Sequence, residues 1–305
     1  MNAGKRQWSR AHQSRSFTDR RRRRLAVGLG AVILGAAAWL FVLIRLSAWP
    51  SLLIDQVKVY GAAPSETPAV MAAAYDALRG NYLGLFARNN ALLYPQNAVA
   101  AAVLSASPRV DHVNIGLDGW QTLVVTVADK TPAAIVCADL PNWNDDGSLA
   151  SSTDCFFADS RGFIFAPAEA SLSAAAGELV RYYFPDLSAD SAATIGQFAT
   201  STPLFDSFQN FLAGVRELGW QIEAWLVKDN GQAELYVNIP NNISKETPPM
   251  TVVYLNNDDL PGELANLTAF AGNLPTDARS TPDHHVTFES IDLRYGNNVF
   301  YRLNR

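Results

Sequence analysis

Only two cysteines, Cys137 and Cys155, occur in 305 residues. That excludes a disulfide-dense scaffold, because two cysteines close at most one internal bridge. Neither Cys-x-x-Cys nor His-x-x-x-His spacing occurs, so the usual zinc motifs lack their ligands. Gly-x-Ser-x-Gly and Ser-x-x-Lys are missing from any strand-turn-helix setting, which removes the best-marked serine hydrolase signals. No internal repeat of 20 to 50 residues is visible, which argues against a solenoid or propeller. With 19 Gly and 16 Pro the chain is far from collagen-like or low-complexity sequence, and 49% hydrophobic residues suffice for a core of domain size.

Negative charge is almost missing from the start of the chain. Residues 1–24 carry nine Lys or Arg against Asp19 alone, about +8, whereas from Leu46 onward 14 basic residues face 28 acidic ones, about −14. Between these regions, Leu25 to Ile44 holds 20 residues without a charge. At 1.5 Å per residue such a helix just crosses a hydrocarbon layer of roughly 30 Å. Five arginines, Arg20 to Arg24, precede it, and Arg45 and Trp49 follow where a snorkelling cation and an interfacial aromatic belong. The positive-inside rule places the N-terminus in the cytoplasm. A cleaved signal peptide is the competing reading, but the apolar run exceeds the usual 7 to 15 residues of such segments. The arginine run also fits a nucleic-acid patch. Its position beside a spanning helix is explained by topology and anionic headgroups.

These boundaries divide the chain into a basic cytoplasmic tail (1–24), a transmembrane helix (25–45) and an exterior region, with a break at Thr131-Pro132 giving segments 46–131 and 132–305. Outside the cytoplasm disulfides persist, so Cys137 and Cys155 are a candidate pair, clipping the turn-rich excursion Pro141 to Gly147 between two strands. Two reduced, buried cysteines remain the alternative.

In 46–131 the pattern reads strand (Ile54–Gly61), helix (Pro68–Leu78), helix (Pro95–Ser105), then two strands (Val110–Leu117, Thr122–Ala128) around Asp118-Gly119. In 132–305 strand signals dominate: Ala133–Ala138, a hairpin from Phe156 to Phe165 about Ser160-Arg161-Gly162, a hairpin at Asp229-Asn230-Gly231, Thr251–Leu255, and terminal strands Val286–Leu293 and Asn298–Leu303. Two helices interrupt them. Phe208, Phe211, Leu212, Val215 and Leu218 recur at helical spacing, and Asp259 with Pro261 offers an N-cap and an early proline. The fold class expected is α+β: one transmembrane helix, a β-α-α-β-β module, and a mainly antiparallel β domain with flanking helices.

This order of features resembles the FtsQ/DivIB family of bacterial cell-division proteins. The resemblance rests on the basic head, the single anchor, the opening strand Ile54 to Gly61, the helix Tyr94 to Pro108 ending in Ser-Pro, and the strand pair Val110 to Pro132 closing in Lys-Thr-Pro-Ala. It extends to the hairpin Phe157-Ala158-Asp159-Ser160-Arg161-Gly162-Phe163-Ile164-Phe165 and the closing strand Ile291-Asp292-Leu293-Arg294-Tyr295. Asp118-Gly119-Trp120 and the long loop between the cysteines depart from the family pattern. The resemblance implies that 46–131 is a POTRA domain and that the chain is a non-enzymatic divisome scaffold, with no cofactor, metal, catalytic residue, nucleic acid or small-molecule substrate. Its implied partners are the lipid bilayer and small coiled-coil membrane proteins of the FtsB/DivIC and FtsL type, met at the division septum. By position in the motif, Arg294, Tyr295, Val299, Phe300 and Tyr301 are the interface candidates, acting by β-strand addition. Ordinary core packing of these aromatics, and a surface ion pair for Arg294, stand beside that reading.

Two rival functions remain from the sequence. One is a membrane-anchored exterior enzyme, for which Asp277, Asp283, His284 and His285 are the nearest thing to a metal cluster, although adjacent histidines on a strand face opposite ways. The other is a POTRA-bearing secretion or assembly factor, but no alternating ten-residue barrel strands follow the module.

Overall fold

The computed structural model describes residues 8–144, 148–150, 152, 154–168, 179–239, 250–273 and 287–304. Asp277, Asp283, His284, His285 and Val286, and residues 145–147 of the excursion between the cysteines, lie outside the described residues. The chain forms two compact units: Met1–Ser107 with His112–Ala128, and Pro108–Asp111 with Asp129–Arg305.

The first unit begins with α1 (Trp8–Ser47), a 40-residue helix. Its stretch Arg24–Ser47 has a mean hydropathy of 2.5 and is long and apolar enough to cross a membrane. Helix also runs through the basic segment expected as a tail, where neither Gly nor Pro interrupts it. There follow β1 (Gln56–Tyr60), α2 (Thr67–Leu78), β2 (Asn81–Tyr82), β3 (Phe86–Ala87), α3 (Gln96–Ala106), β4 (Val110–Asp118) and β5 (Thr122–Asp129). The strand-helix-helix-strand-strand order is present, with the small β2–β3 hairpin added between the helices. A three-stranded sheet has the order β1-β5-β4, with β1 parallel to β5. Its apolar side chains Val57, Leu123 and Val125 are buried, as are Val70, Ala74 and Leu78 of α2 and Val99 and Val103 of α3.

The end of α1 is bonded into this unit. The Ser47 carbonyl accepts from Asn90 Nδ2 at 2.9 Å, and Ser47 Oγ accepts from the Ala87 amide at 3.0 Å. Both Ser47 and Asn90 are buried. The chain just beyond the helix is paired as well, through Ala91 N to Leu52 O and Ile54 N to Asn89 O, each 2.8 Å. Helix and module are thus joined without a free linker.

The second unit is built on nine strands among the described residues: β6 (Ala134–Cys137), β7 (Cys155–Ala158), β8 (Ile164–Pro167), β9 (Arg181–Tyr183), β10 (Gln221–Val227), β11 (Gln232–Asn238), β12 (Thr251–Asn256), β13 (Phe288–Tyr295) and β14 (Asn298–Leu303). They form one sheet in the order β14-β13-β12-β11-β10-β9-β6-β7-β8. Helices α4 (Ser191–Thr194) and α5 (Thr202–Glu217) lie between β9 and β10 in the chain, and α6 (Leu260–Gly272) lies between β12 and β13. The β9–β10 and β12–β13 pairs are parallel, as such crossovers permit. The β6–β9 pair is also parallel and the other five neighbour pairs are antiparallel, so the sheet is mixed.

One face of this sheet carries the main core. Phe205, Phe208, Phe211, Leu212 and Val215 of α5 recur at three- and four-residue spacing and are buried with Tyr182, Trp225, Leu235, Val253 and Ile291 of the sheet. Full burial of each such side chain contributes roughly 1.5–3 kcal/mol. Helices α5 and α6 approach closely at Gly214, where an added Cβ would lie 2.6 Å from a Leu264 methyl. Asp259 caps α6 by accepting from the Gly262 amide at 3.2 Å.

The opposite face differs along its length. From β6 to β10 it holds a second cluster containing Ile135, Cys137, Cys155, Phe157, Phe165, Tyr183 and Leu226. Trp143 and Leu149, from the loop between the cysteines, pack onto this cluster. Cys137 and Cys155 sit opposite each other in the β6–β7 register with Cα atoms 4.0 Å apart, and their sulfurs are bonded. The bridge therefore staples the base of the loop that covers this face.

Candidate functional site

The two edges of the large sheet are treated differently. Beyond β8, the segment around Gln197 continues the main-chain pairing: Ile164 N donates to Gln197 O and Gly196 N to Ile164 O, both at 2.8 Å, and Ala199 N donates to Gly162 O at 2.9 Å. That edge is capped. Beyond β14, no main chain among the described residues pairs with the strand's outer side. β14 thus presents backbone donors and acceptors along one edge, the state that invites another strand.

Strand β14 is positioned by antiparallel pairing with β13 and by α6 beneath it. Register places Tyr301 opposite Ile291, toward the helices, and Phe300 opposite Asp292, toward the other face. Tyr301 packs at 5.6 Å from Phe270 and 5.7 Å from Phe288, and Val299 packs on the main core, so these two candidates are partly structural. Tyr295 and Phe300 are brought together as an edge-to-face pair at 5.3 Å across the β13–β14 hairpin. They are 58% and 56% exposed, far more than a core pair would be. Asn266 Nδ2, donating to Gly296 O at 2.8 Å, ties the tip of this hairpin to α6.

Arg294 is committed to its own sheet. Its Nη2 and Nε donate to the two oxygens of Asp292 at 2.6 and 2.8 Å, its Nη1 donates to Gln232 Oε1 at 3.0 Å, and the guanidinium lies 5.0 Å over the Tyr254 ring. Burial pushes the Asp292 carboxyl upward, but the bonds from Arg294 outweigh it and hold the group below the usual carboxylate range. The surroundings of Arg294 are those of a residue that orders the face beside β14. Val252, Tyr254, Asp292 and Phe300 line a shallow depression of about 370 Å³ on that face.

Residues not singled out from the sequence complete this corner. Tyr254 and Gln232 belong to the polar face of β12 and β11, a face visible in the alternation Gln232-Ala233-Glu234-Leu235-Tyr236-Val237-Asn238. Glu263, on the first turn of α6, is only 4% exposed, and its carboxylate accepts from the Asn256 amide at 2.9 and 3.0 Å. Burial is the main cause that raises its pKa to about 7, against the lowering effect of the Asn256 bond. It fastens α6 to the end of β12.

Among the described residues, Cys137, Asp139 and Cys155 form one cluster of metal-type ligands, but the two sulfurs are bonded to each other. Leu25, Ile44, Arg45 and Trp49 all fall on α1 or just after it: Arg45 lies in its last turn, 5.1 Å over the Phe41 ring, and Trp49 precedes a short 3-10 turn. Neither the protein-family models nor the curated proteins match this chain.

Proposed function

We propose that this chain is a bitopic, non-enzymatic scaffold of the bacterial divisome, akin to the FtsQ/DivIB family, that captures coiled-coil membrane partners by strand addition at β14. In this reading the N-terminus is cytoplasmic, the first exterior unit is a POTRA domain, and the second recruits proteins of the FtsB/DivIC and FtsL type at the septum. The observation that carries it is the outer edge of β14, unpaired among the described residues, beside the exposed Tyr295–Phe300 pair. An added strand would satisfy main-chain groups there, and alternate side chains would select the partner. The three-stranded sheet with two helices and β1 parallel to β5 supports the POTRA assignment, and the charge asymmetry about α1 supports the orientation.

The test is a pull-down of the exterior region with membrane-anchored coiled-coil division proteins, comparing the wild type with Phe300→Asp. The proposal expects capture by the former and loss in the latter with melting unchanged. Equal capture by both would remove β14 as the site, and substrate turnover by the purified region would remove the scaffold reading altogether.

A further inference from the structure

Around the end of α1 the first unit displays apolar side chains left exposed among the described residues. The β2–β3 loop runs Tyr82-Leu83-Gly84-Leu85-Phe86, and Leu83 at its tip is 93% exposed. Leu83 also has φ +51°, a left-handed backbone in which leucine is disfavoured relative to glycine or asparagine. Leu85, Leu92 and Leu93 are exposed nearby. Scattered singly, such residues would need no explanation, but here they gather at one place. An open groove of about 460 Å³ is lined by Leu43 and Leu46 of α1 together with Tyr82, Phe86, Leu92 and Leu93.

The depth of this groove is set by the helix. Leu43 and Leu46 belong to the last turn of the apolar stretch, which the tie from Ser47 to Asn90 and Ala87 fixes against the module. If that stretch crosses a bilayer, its last turn lies where hydrocarbon meets headgroups. The hairpin fixed beside it then lies at the same level. Local charge agrees: Arg79 is paired with Asp76, and from Gly80 to Tyr94 there is one arginine, Arg88, and no acidic residue, within a region after α1 that is strongly acidic overall. Arg88 sits 5.6 Å over the Tyr82 ring, and Trp49 is exposed at the helix end, the residue types that line membrane interfaces.

We infer that the β2–β3 hairpin and the Leu92-Leu93 loop form a lipid-docking surface, inserting Leu83 and Leu85 into the outer boundary of the same bilayer that α1 spans. The inference rests on the membrane-span reading of α1 and deepens it: the first unit is a seated module with a fixed face toward lipid. The exposed leucines and the positive φ of Leu83 fit that role, since a tip aimed into hydrocarbon gains from a large apolar side chain that water would disfavour.

The test uses the full chain in phospholipid nanodiscs, with single cysteines spin-labelled at Ile33→Cys, Leu83→Cys or Tyr60→Cys. Cys137 and Cys155 are bonded to each other, which leaves the introduced thiol for labelling. Relaxation by oxygen, which concentrates in lipid, is compared with relaxation by a water-soluble nickel chelate. The expected result is a lipid-like contrast at positions 33 and 83 and a water-like one at 60, exposed at the end of β1 that lies away from α1. Adding Leu83→Asp to a Leu92→Cys label is expected to turn position 92 water-like while melting stays unchanged. A water-like signal at 83 with a lipid-like one at 33 overturns the docking surface and spares the span. Water-like signals at both overturn the span reading too. Protection of position 83 from both reagents overturns lipid as the occupant in favour of protein.

Discussion

The two halves of the nine-stranded sheet come from one chain and share one helical layer, yet they are finished differently. From β8 to β10 both faces are covered, one by the main core and the other by the loop that the Cys137–Cys155 bridge closes, and the edge at β8 is capped by the segment around Gln197. From β11 to β14 only the helical face carries the main core; the other face bears Tyr254, Asp292 and Arg294, and the edge at β14 is unpaired among the described residues. An open edge is a liability in any soluble domain, because it templates association. The difference supports the proposal that β14 is a docking edge.

The largest expected effect falls on the closed half. Replacing Cys137 and Cys155 by serine should lower the unfolding free energy by about 2–4 kcal/mol, the range for a loop of this size, read from urea melts of the exterior region. Partner capture at β14 should survive. If capture fell in proportion to stability, the two halves would not be independent.

Next in size is the open half. Phe300→Asp should weaken partner binding by at least about 2 kcal/mol, as for the anchor of an interface, while changing stability by less than about 0.5 kcal/mol. Isothermal titration and melting measure the two quantities. A stability loss larger than the binding loss would return Phe300 to the core.

Gly162→Ala probes the capped edge. Gly162 has φ +79°, and an added Cβ would lie 2.9 Å from the Phe205 ring. The left-handed backbone alone should cost about 1–2 kcal/mol. Faster amide exchange at Ile164 and Gly196 would show the cap loosening; unchanged exchange would mean that the cap does not depend on the turn.

The last effect is read as a slope with pH and concerns the fastening of α6. The Glu263 pKa is raised, from an ordinary value of 4.5 to about 7, so the unfolded chain releases this proton first as pH rises. Its contribution to stability is complete below about 4.5 and is lost as pH rises through about 7. Glu263→Gln should flatten that decline in melting temperature; a slope unchanged in the variant would assign it to another group.

Much of this architecture was legible from local pattern. The uncharged stretch Leu25 to Ile44, the Asp229-Asn230-Gly231 turn, the helical spacing of Phe208 to Val215 and the Asp259 cap each act over a few residues; the last three lie within a few residues of their expected bounds, whereas α1 begins at Trp8, well before the apolar stretch. What escaped the sequence is nonlocal. Arg181-Tyr182-Tyr183 is too short to show a period, yet it forms β9 between β6 and β10, with two parallel pairings that only the assembled sheet defines. The cap on β8 is made by Gly196 and Gln197, in a segment with no strand pattern of its own. At the candidate site, the exposure of Tyr295 and Phe300 and the half-buried packing of Val299 and Tyr301 could not be separated in advance, because alternation assigns faces but not which face is covered. The tie of Arg294 to Asp292 follows from residues two apart on a strand, where both side chains share a face.

The junction at Ser47 has a mechanical consequence. A helix of 40 residues is about 60 Å long, and its final residue is bonded directly into the exterior module. If its apolar stretch crosses a bilayer, a neighbour that rolls or tilts this rod within the lipid rolls or tilts the module with it, with no swivel to absorb the motion. Helix α1 would in that case be an axle, passing a change of orientation along its length to the module.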